Sequence, residues 1–310
     1  SDRQVGFLIF CTIVGFGIMR LPKDAVEAAC TGAWIPMVIN TIISIIIGYM
    51  FVYLGLTFEG KTIEQYSEKI VGKLASKIIM FLFIIYYFSF IIIDIRLLAA
   101  DIKFDFLINT PLWALALLFN FLIFYVIYKK LNVIAMLCEL YGVIIIIGLT
   151  ITIILIFSEG KLVNIRPFFN IEDISKYIKA TPSLLTAFSG VEILAIIPLY
   201  KNSNNNRKNN KKVFNYVVKI LVIIGFIYIF TVEATLSVVG ENSLIILEDT
   251  VLSTIRRIEI PFLDFLQRID GLVFSIYLLG VITTTIIMGY AAIYFACKLF
   301  KIPDNKYGIF

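Results

Sequence analysis

Residues 4–29 read QVGFLIFCTIVGFGIMRLPKDAVEAA, an apolar run interrupted at its centre by Gly15-Phe16-Gly17-Ile18 and again by Leu21-Pro22. Each glycine costs a helix about 1 kcal/mol relative to alanine. Inside hydrocarbon, non-helical backbone survives only where protein or a water-filled cavity takes up its polar groups. The pattern predicts a membrane helix broken beside a cavity. Pro182–Tyr200, PSLLTAFSGVEILAIIPLY, repeats it: Ala187-Phe188-Ser189-Gly190-Val191-Glu192 sits inside another apolar run, and Pro198 follows. These are the first and sixth apolar runs of the chain, the leading helix of each half. Breaks at matching positions in two halves are the mark of an inverted-repeat transporter with a midplane site. The competing explanation is that the glycines only permit close helix packing.

Six further runs surround these two: Trp34–Thr57, Leu74–Ala100, Leu112–Tyr128, Val133–Phe157, Val213–Val239 and Leu263–Cys297. An α-helix needs about 20 apolar residues to cross the bilayer, so eight spans are expected. The runs are continuous, not alternating, which excludes a β-barrel. The first lacks a clear basic leader and small-residue cleavage site and continues through Lys23–Glu27, so it is not a signal peptide. Composition agrees. The 310 residues are 60% hydrophobic and only 16% charged, with mean hydropathy +0.95, whereas soluble domains carry about 25% charged residues. The chain reads as a single all-α polytopic membrane domain.

Composition also excludes chemistry. With no histidine, Ser-His-Asp hydrolysis and histidine proton relays are ruled out. Cys11, Cys30, Cys138 and Cys297 are scattered with no CxxC, giving neither a disulfide framework nor a zinc site. No nucleophile–base pair stands out, so no enzyme activity, catalytic residue, metal or cofactor is expected.

Placing the N-terminus in the cytoplasm puts Arg3, Lys61, Lys69, Lys73, Lys77, Lys129, Lys130, the basic run Lys201–Lys212 and Lys298, Lys301 and Lys306 inside, with few acids. This satisfies the positive-inside rule and makes both chain ends cytoplasmic. The Lys201–Lys212 run is then a solvated inner loop near anionic headgroups, not a nucleic-acid site. Thr62-Ile63-Glu64-Gln65 reads as a capping box opening a short surface helix with Ile63, Tyr66 and Ile70 on one face. Ile171–Lys179 and Leu244–Arg257 are expected as short outer helices. Trp34, Trp113 and Tyr53 fit interfacial aromatic anchors.

Helix breaks carry their own chemistry. Where the first helix restarts, the amides around Gly17, Ile18 and Met19 lack intrahelical acceptors and carry the positive end of a half-helix dipole, which suits a carboxylate. Where the sixth stops, the carbonyls of Thr186, Ala187 and Phe188 suit an ammonium group. A zwitterionic amino acid fits both, with Phe16 and Phe188 walling its side chain. Glu192 is the best intramembrane candidate for a protonatable or amine-contacting group. Glu139, Glu233 and Lys219 read as structural, and Asp94, Arg96 and Asp101 as an interfacial ion-pair network more than an outer gate. Thr283-Thr284-Thr285 interrupts the eighth run; one hydroxyl either bonds its own helix four residues back or faces Gly15. The expected ligand-binding set is Gly15, Phe16, Gly17, Ile18, Thr186, Phe188, Ser189, Gly190, Glu192 and Thr284.

These motifs resemble the first- and sixth-helix motifs of amino acid/polyamine/organocation (APC) permeases. More narrowly, the chain is similar to spore germination permeases of the GerAB type. That resemblance rests also on Glu27-Ala28-Ala29 through Ala33-Trp34, Gly60-Lys61-Thr62-Ile63, Arg96 with Asp101, Thr110-Pro111-Leu112-Trp113, Val133-Ile134-Ala135 and Glu139-Leu140. It implies a LeuT-like fold of five plus five inverted helices, with repeats over about 4–157 and 182–298. It also implies a subunit of a spore nutrient germinant receptor in the spore inner membrane, sensing an amino acid beside sister subunits, a large membrane protein and a lipoprotein. The alternative it leaves is a secondary amino acid transporter. Eight spans of ten, a start at Ser1 and an end at Phe310 are expected to reflect trimming. Proton-coupled relatives can carry a lysine on the fifth helix, and Val133–Phe157 has none, which weakens proton-driven transport.

Overall fold

The structure, a computed structural model, describes the chain apart from residues 1, 16, 130, 199–205, 248, 259–268 and 301–310. Phe16, the start of the basic run at Lys201, Tyr200 and the start of the last run at Leu263 lie outside the described residues. Among those residues the secondary structure is helical throughout. The α-helices are α1 (Asp2–Val14), α2 (Leu21–Ala29), α3 (Trp34–Thr57), α4 (Ile63–Val71), α5 (Lys73–Asp105), α6 (Leu112–Ile127), α7 (Leu131–Ser158), α8 (Ile174–Leu184), α9 (Asn206–Val239), α10 (Glu241–Leu244), α11 (Thr250–Ile255) and α12 (Ile269–Leu299).

Five of them contain stretches long and apolar enough to cross a membrane: Trp34–Thr57, Lys73–Asp105, Leu131–Ser158, Lys212–Val239 and Asp270–Leu299. Arg3–Val14 and Leu112–Ile127 are shorter apolar helices. The outward faces are greasy: Ile42, Ile46 and Met50 on α3 and Ile147, Ile151 and Ile154 on α7 are all exposed. Water would not tolerate so much contiguous apolar surface, but lipid does.

At the centre stands α1. Ile9, Phe10, Thr12 and Ile13 are fully buried, as expected of a helix apolar all round and enclosed by its neighbours. It packs against α7, α9 and α12. At about 1.5 Å per residue its 13 residues span about 20 Å, short of the roughly 30 Å hydrocarbon core. The main scaffold pairing is α5 with α12. Along that seam Tyr277 donates to Asp101, Thr285 faces Asp94 and Phe295 stacks on Phe83 and Tyr87, while Tyr294 of α12 donates to Thr62 just before α4.

Three local expectations need correction. Ile171–Lys179 is not a separate outer helix: a 3-10 turn at Ile171–Asp173 leads directly into α8. Among its described residues, Leu244–Arg257 is helical only at Leu244, where α10 ends, and over α11 at Thr250–Ile255. The Thr62 box does not close on itself. Its side chain makes no capping bond to α4, because the hydroxyl instead accepts from Tyr294 at 2.8 Å. On α4, Tyr66 is buried against Phe58 while Ile70 is 56% exposed.

Candidate functional site

The first break follows Val14. The chain leaves helical geometry at Gly15, turns through Gly17 at φ +73°, and restarts as α2 at Leu21 with Pro22 in its first turn. The Gly17 carbonyl closes the turn by accepting from the amides of Arg20 and Leu21, both at 2.9 Å. The restart therefore lies several residues later than the sequence suggested. The amides of Gly17, Ile18 and Met19 belong to the turn and not to the end of a helix dipole. They have no hydrogen-bond acceptor among the described residues. Gly17 has open space where a Cβ would stand, whereas Gly15 has none: a Cβ there would collide with Thr284 Oγ1 and the Gly280 carbonyl.

The second break follows Leu184. Residues Leu185–Phe188 form a 3-10 turn, Ser189 is extended, Gly190 adopts φ +125°, and Val191–Ile196 resume as 3-10 helix. The Glu192 carboxylate occupies the gap. It accepts from the Gly190 amide at 2.9 Å and from the Tyr86 hydroxyl of α5 at 2.7 Å. Its first service is to satisfy broken backbone, which is how a carboxylate stays tolerable at that depth.

The two breaks touch. A Cβ on Gly190 would lie 2.9 Å from Thr12 Cγ2 and 3.1 Å from Ile13 Cγ1, so the second break packs directly on the end of α1. Between them stands the Tyr228 hydroxyl of α9, 3.0 Å from the Ile13 carbonyl and 3.1 Å from the Ala187 carbonyl. Both carbonyls lost their α-helical donors when the helices broke. Phe188 is buried and meets Tyr228 edge-on at 5.2 Å. Thr284 donates to the Cys11 carbonyl at 2.6 Å and to its own helix at Gly280. It lies against Gly15 and bonds back along α12 as well.

The structure thus brings Gly15, Gly190, Phe188, Glu192 and Thr284 around one junction, with Gly17 and Ile18 in the adjoining turn. Ser189 is half-buried, its amide bonded to the Thr186 carbonyl. Thr186 stands apart: its side chain is exposed and its hydroxyl turns to the Ser183 carbonyl.

Charge collects at the restart of the first helix. Arg20 is 2.8 Å from Asp101 of α5 and 3.5 Å from Asp249. Tyr277 of α12 donates to the other Asp101 oxygen at 3.1 Å. Thr250 and Val251, at the start of α11, both donate to the Met19 carbonyl. The expected grouping of Asp94, Arg96 and Asp101 is corrected accordingly: Asp94 and Asp101 share the face of α5 that meets α12 but stand two turns apart, and helical rotation takes Arg96 off that face. Asp101 pairs with Arg20, Asp94 is buried toward Thr285, and Arg96 is exposed on another face of α5. Glu139 pairs with Arg3 at 3.0 Å. Glu233 is buried, and neither carboxyl oxygen has a partner among the described residues.

Sequence reasoning missed Tyr228, Tyr86 and Arg20. Tyrosines within apolar runs look like packing. Arg20 alone carried a signal, as a charge set immediately beyond a Gly-x-Gly break.

A family model described as "Spore germination protein" matches residues 1–310. Among curated proteins the chain is similar to "Spore germination protein YndE" of Bacillus subtilis (strain 168), 25% identical over 97% of this chain and 81% of that protein. It is also similar to "Spore germination protein B2" of the same organism, 24% identical over 86% of this chain and 70% of that protein. A third relative, "Spore germination protein GerLB" of Bacillus cereus, is 22% identical over 100% of this chain and 81% of its own length.

Proposed function

The chain belongs to the spore germination protein family, and from that premise we propose that it is the multi-pass membrane subunit of a nutrient germinant receptor, binding a small amino acid where its two broken helices meet. The observation that carries this reading is the pair of opposed polar ends at one junction. The Ile13 and Ala187 carbonyls share one hydroxyl proton from Tyr228, and the Gly17–Met19 amides have no acceptor among the described residues. An ammonium group carries three protons and satisfies both carbonyls at once, in exchange for the Tyr228 hydroxyl. A carboxylate accepts from the open amides of the turn. An α-amino acid supplies both charges, and the buried Phe188 ring beside Tyr228 would lie against its side chain.

In this reading the two halves form inverted repeats of a LeuT-like bundle, over about 4–157 and 182–298, with both ends cytoplasmic in the spore inner membrane. Binding at the junction shifts α2, and the Arg20–Asp101–Asp249 contacts pass the change to elements that face sister subunits, a large membrane protein and a lipoprotein. The same contacts close over the restart of the first helix, as a gate would. That favours a second reading, alternating-access transport of the amino acid.

Purified protein reconstituted into liposomes distinguishes them. Radiolabelled amino acids are screened for binding and for uptake, with Gly17→Val as control, since a β-branched residue is strained at φ +73°. Saturable binding without accumulation, lost in Gly17→Val, supports the receptor. Saturable accumulation moves the assignment to a transporter. Absence of binding to every amino acid overturns both.

A further inference from the structure

Away from the junction, a cleft of about 410 Å³ runs between α5, α6 and α12. Its floor is α12 at Gly289 and Ala292, both buried. Gly289 keeps that floor low, because a Cβ there would run into Ile127. Along α6 the lining extends from Leu112 to Ile127, about 22 Å of helix. That exceeds the roughly 15 Å of hydrocarbon in one leaflet.

One charged side chain lines this apolar cleft. Arg96 is exposed there, and no carboxylate among the described residues lies within ion-pair distance of it, since Asp94 and Asp101 turn to α12 and Arg20. A guanidinium on a spanning helix is costly unless it reaches an anion or the headgroup layer. Its depth suits the second escape. Arg96 shares the cleft with Leu112, and the next residue, Trp113, is 67% exposed, as aromatic anchors at the headgroup level are.

We propose that this cleft binds one anionic phospholipid, its phosphate held by the Arg96 guanidinium and one acyl chain lying over Gly289 and Ala292. The planar fork of arginine matches two phosphate oxygens, and no acid among the described residues competes for it. The lone guanidinium speaks against an apolar protein helix as occupant, because such a helix would cover Arg96 without giving it an anion. An anionic headgroup is favoured over a zwitterionic one because the latter brings its own ammonium to the phosphate.

The test uses the purified chain in phosphatidylcholine vesicles with spin-labelled phosphatidylglycerol or spin-labelled phosphatidylcholine as probe. The expected result is a motionally restricted fraction that prefers phosphatidylglycerol. Arg96→Gln weakens that preference by about tenfold, the scale of a charge-assisted contact. Ala116→Phe, which keeps the charge and fills the wall of the cleft, removes the restricted chain for both probes. Unchanged helix content in both variants separates these effects from misfolding. The proposal is overturned if Arg96→Gln keeps the full preference or if Ala116→Phe leaves the restricted fraction intact. It is equally overturned if a photoreactive residue at Phe124 captures a protein segment instead of lipid.

Discussion

The Tyr228 hydroxyl stands 3.0 Å from the Ile13 carbonyl and 3.1 Å from the Ala187 carbonyl, so one phenolic proton answers the ends of two interrupted helices. Residues 215 positions apart are thereby tied at the point where neither helix can satisfy itself. Tyr228→Phe removes that donor and leaves two buried acceptors unmet, at an expected cost of about 1–3 kcal/mol in unfolding free energy. In the proposed mode an incoming ammonium group replaces this proton, so affinity for the amino acid is expected to hold or rise in the variant. Thermal unfolding in detergent and equilibrium binding read the two effects separately. A stable Tyr228→Phe protein that no longer binds would instead make the hydroxyl a ligand contact.

Gly15 and Gly17 differ sharply in what they permit. A methyl group at Gly15 meets the Gly280 backbone as well as Thr284, while one at Gly17 meets open space and only the strain of positive φ. Gly15→Ala is therefore expected to cost about 3 kcal/mol or more through overpacking, and Gly17→Ala about 1 kcal/mol. Adding Thr284→Ala to Gly15→Ala should not rescue folding, because the Gly280 carbonyl remains in the way. Folded yield after size-exclusion chromatography ranks the variants.

Both breaks were legible in the sequence because glycine and small polar residues are conspicuous against leucine, isoleucine and phenylalanine. Element ends were less so. The delayed restart at Leu21 depends on the Gly17 carbonyl taking two amides, and no composition window contains that choice. Thr62 read as a cap but serves Tyr294, 232 residues away. Asp94, Arg96 and Asp101 looked like one cluster because they are close in number, yet α5 turns Arg96 to another face and sets Asp94 and Asp101 two turns apart along α12, at Thr285 and at Tyr277 with Arg20. Patterning reports what a segment does alone, whereas these outcomes were decided by partners distant in the chain.

Glu192 bonds to Tyr86 and to the Gly190 amide, which orders the effects of replacing it. Glu192→Gln keeps one acceptor oxygen and should destabilise less than Glu192→Ala, which strands a hydroxyl and an amide at about 1–3 kcal/mol. Tyr86→Phe should destabilise without altering ligand affinity if the carboxylate only caps the break. If the carboxylate also contacts the amine of the ligand, Glu192→Gln weakens binding by more than its loss of stability explains. Isothermal titration of the folded variants decides between these outcomes.

The Arg20–Asp101 pair joins the restart of the first helix to α5, and at 2.8 Å it is direct. The Asp101 side chain is 4% exposed and that of Arg20 29%, so the pair is shielded from most solvent screening. Removing one member leaves a charge in a poorly hydrated site, with an expected loss of about 3–5 kcal/mol. Asp101→Asn should be the milder single change, because the new amide oxygen would still accept from Tyr277 and Asp249 would remain near Arg20. Arg20→Met should be the harsher, since Asp101 would then keep only a neutral donor. The double variant removes both charges and is expected to recover much of the Arg20→Met loss, giving a coupling of at least about 1 kcal/mol in a double-mutant cycle. Additive losses would show that the two residues act independently and that the contact does not hold α2 in place.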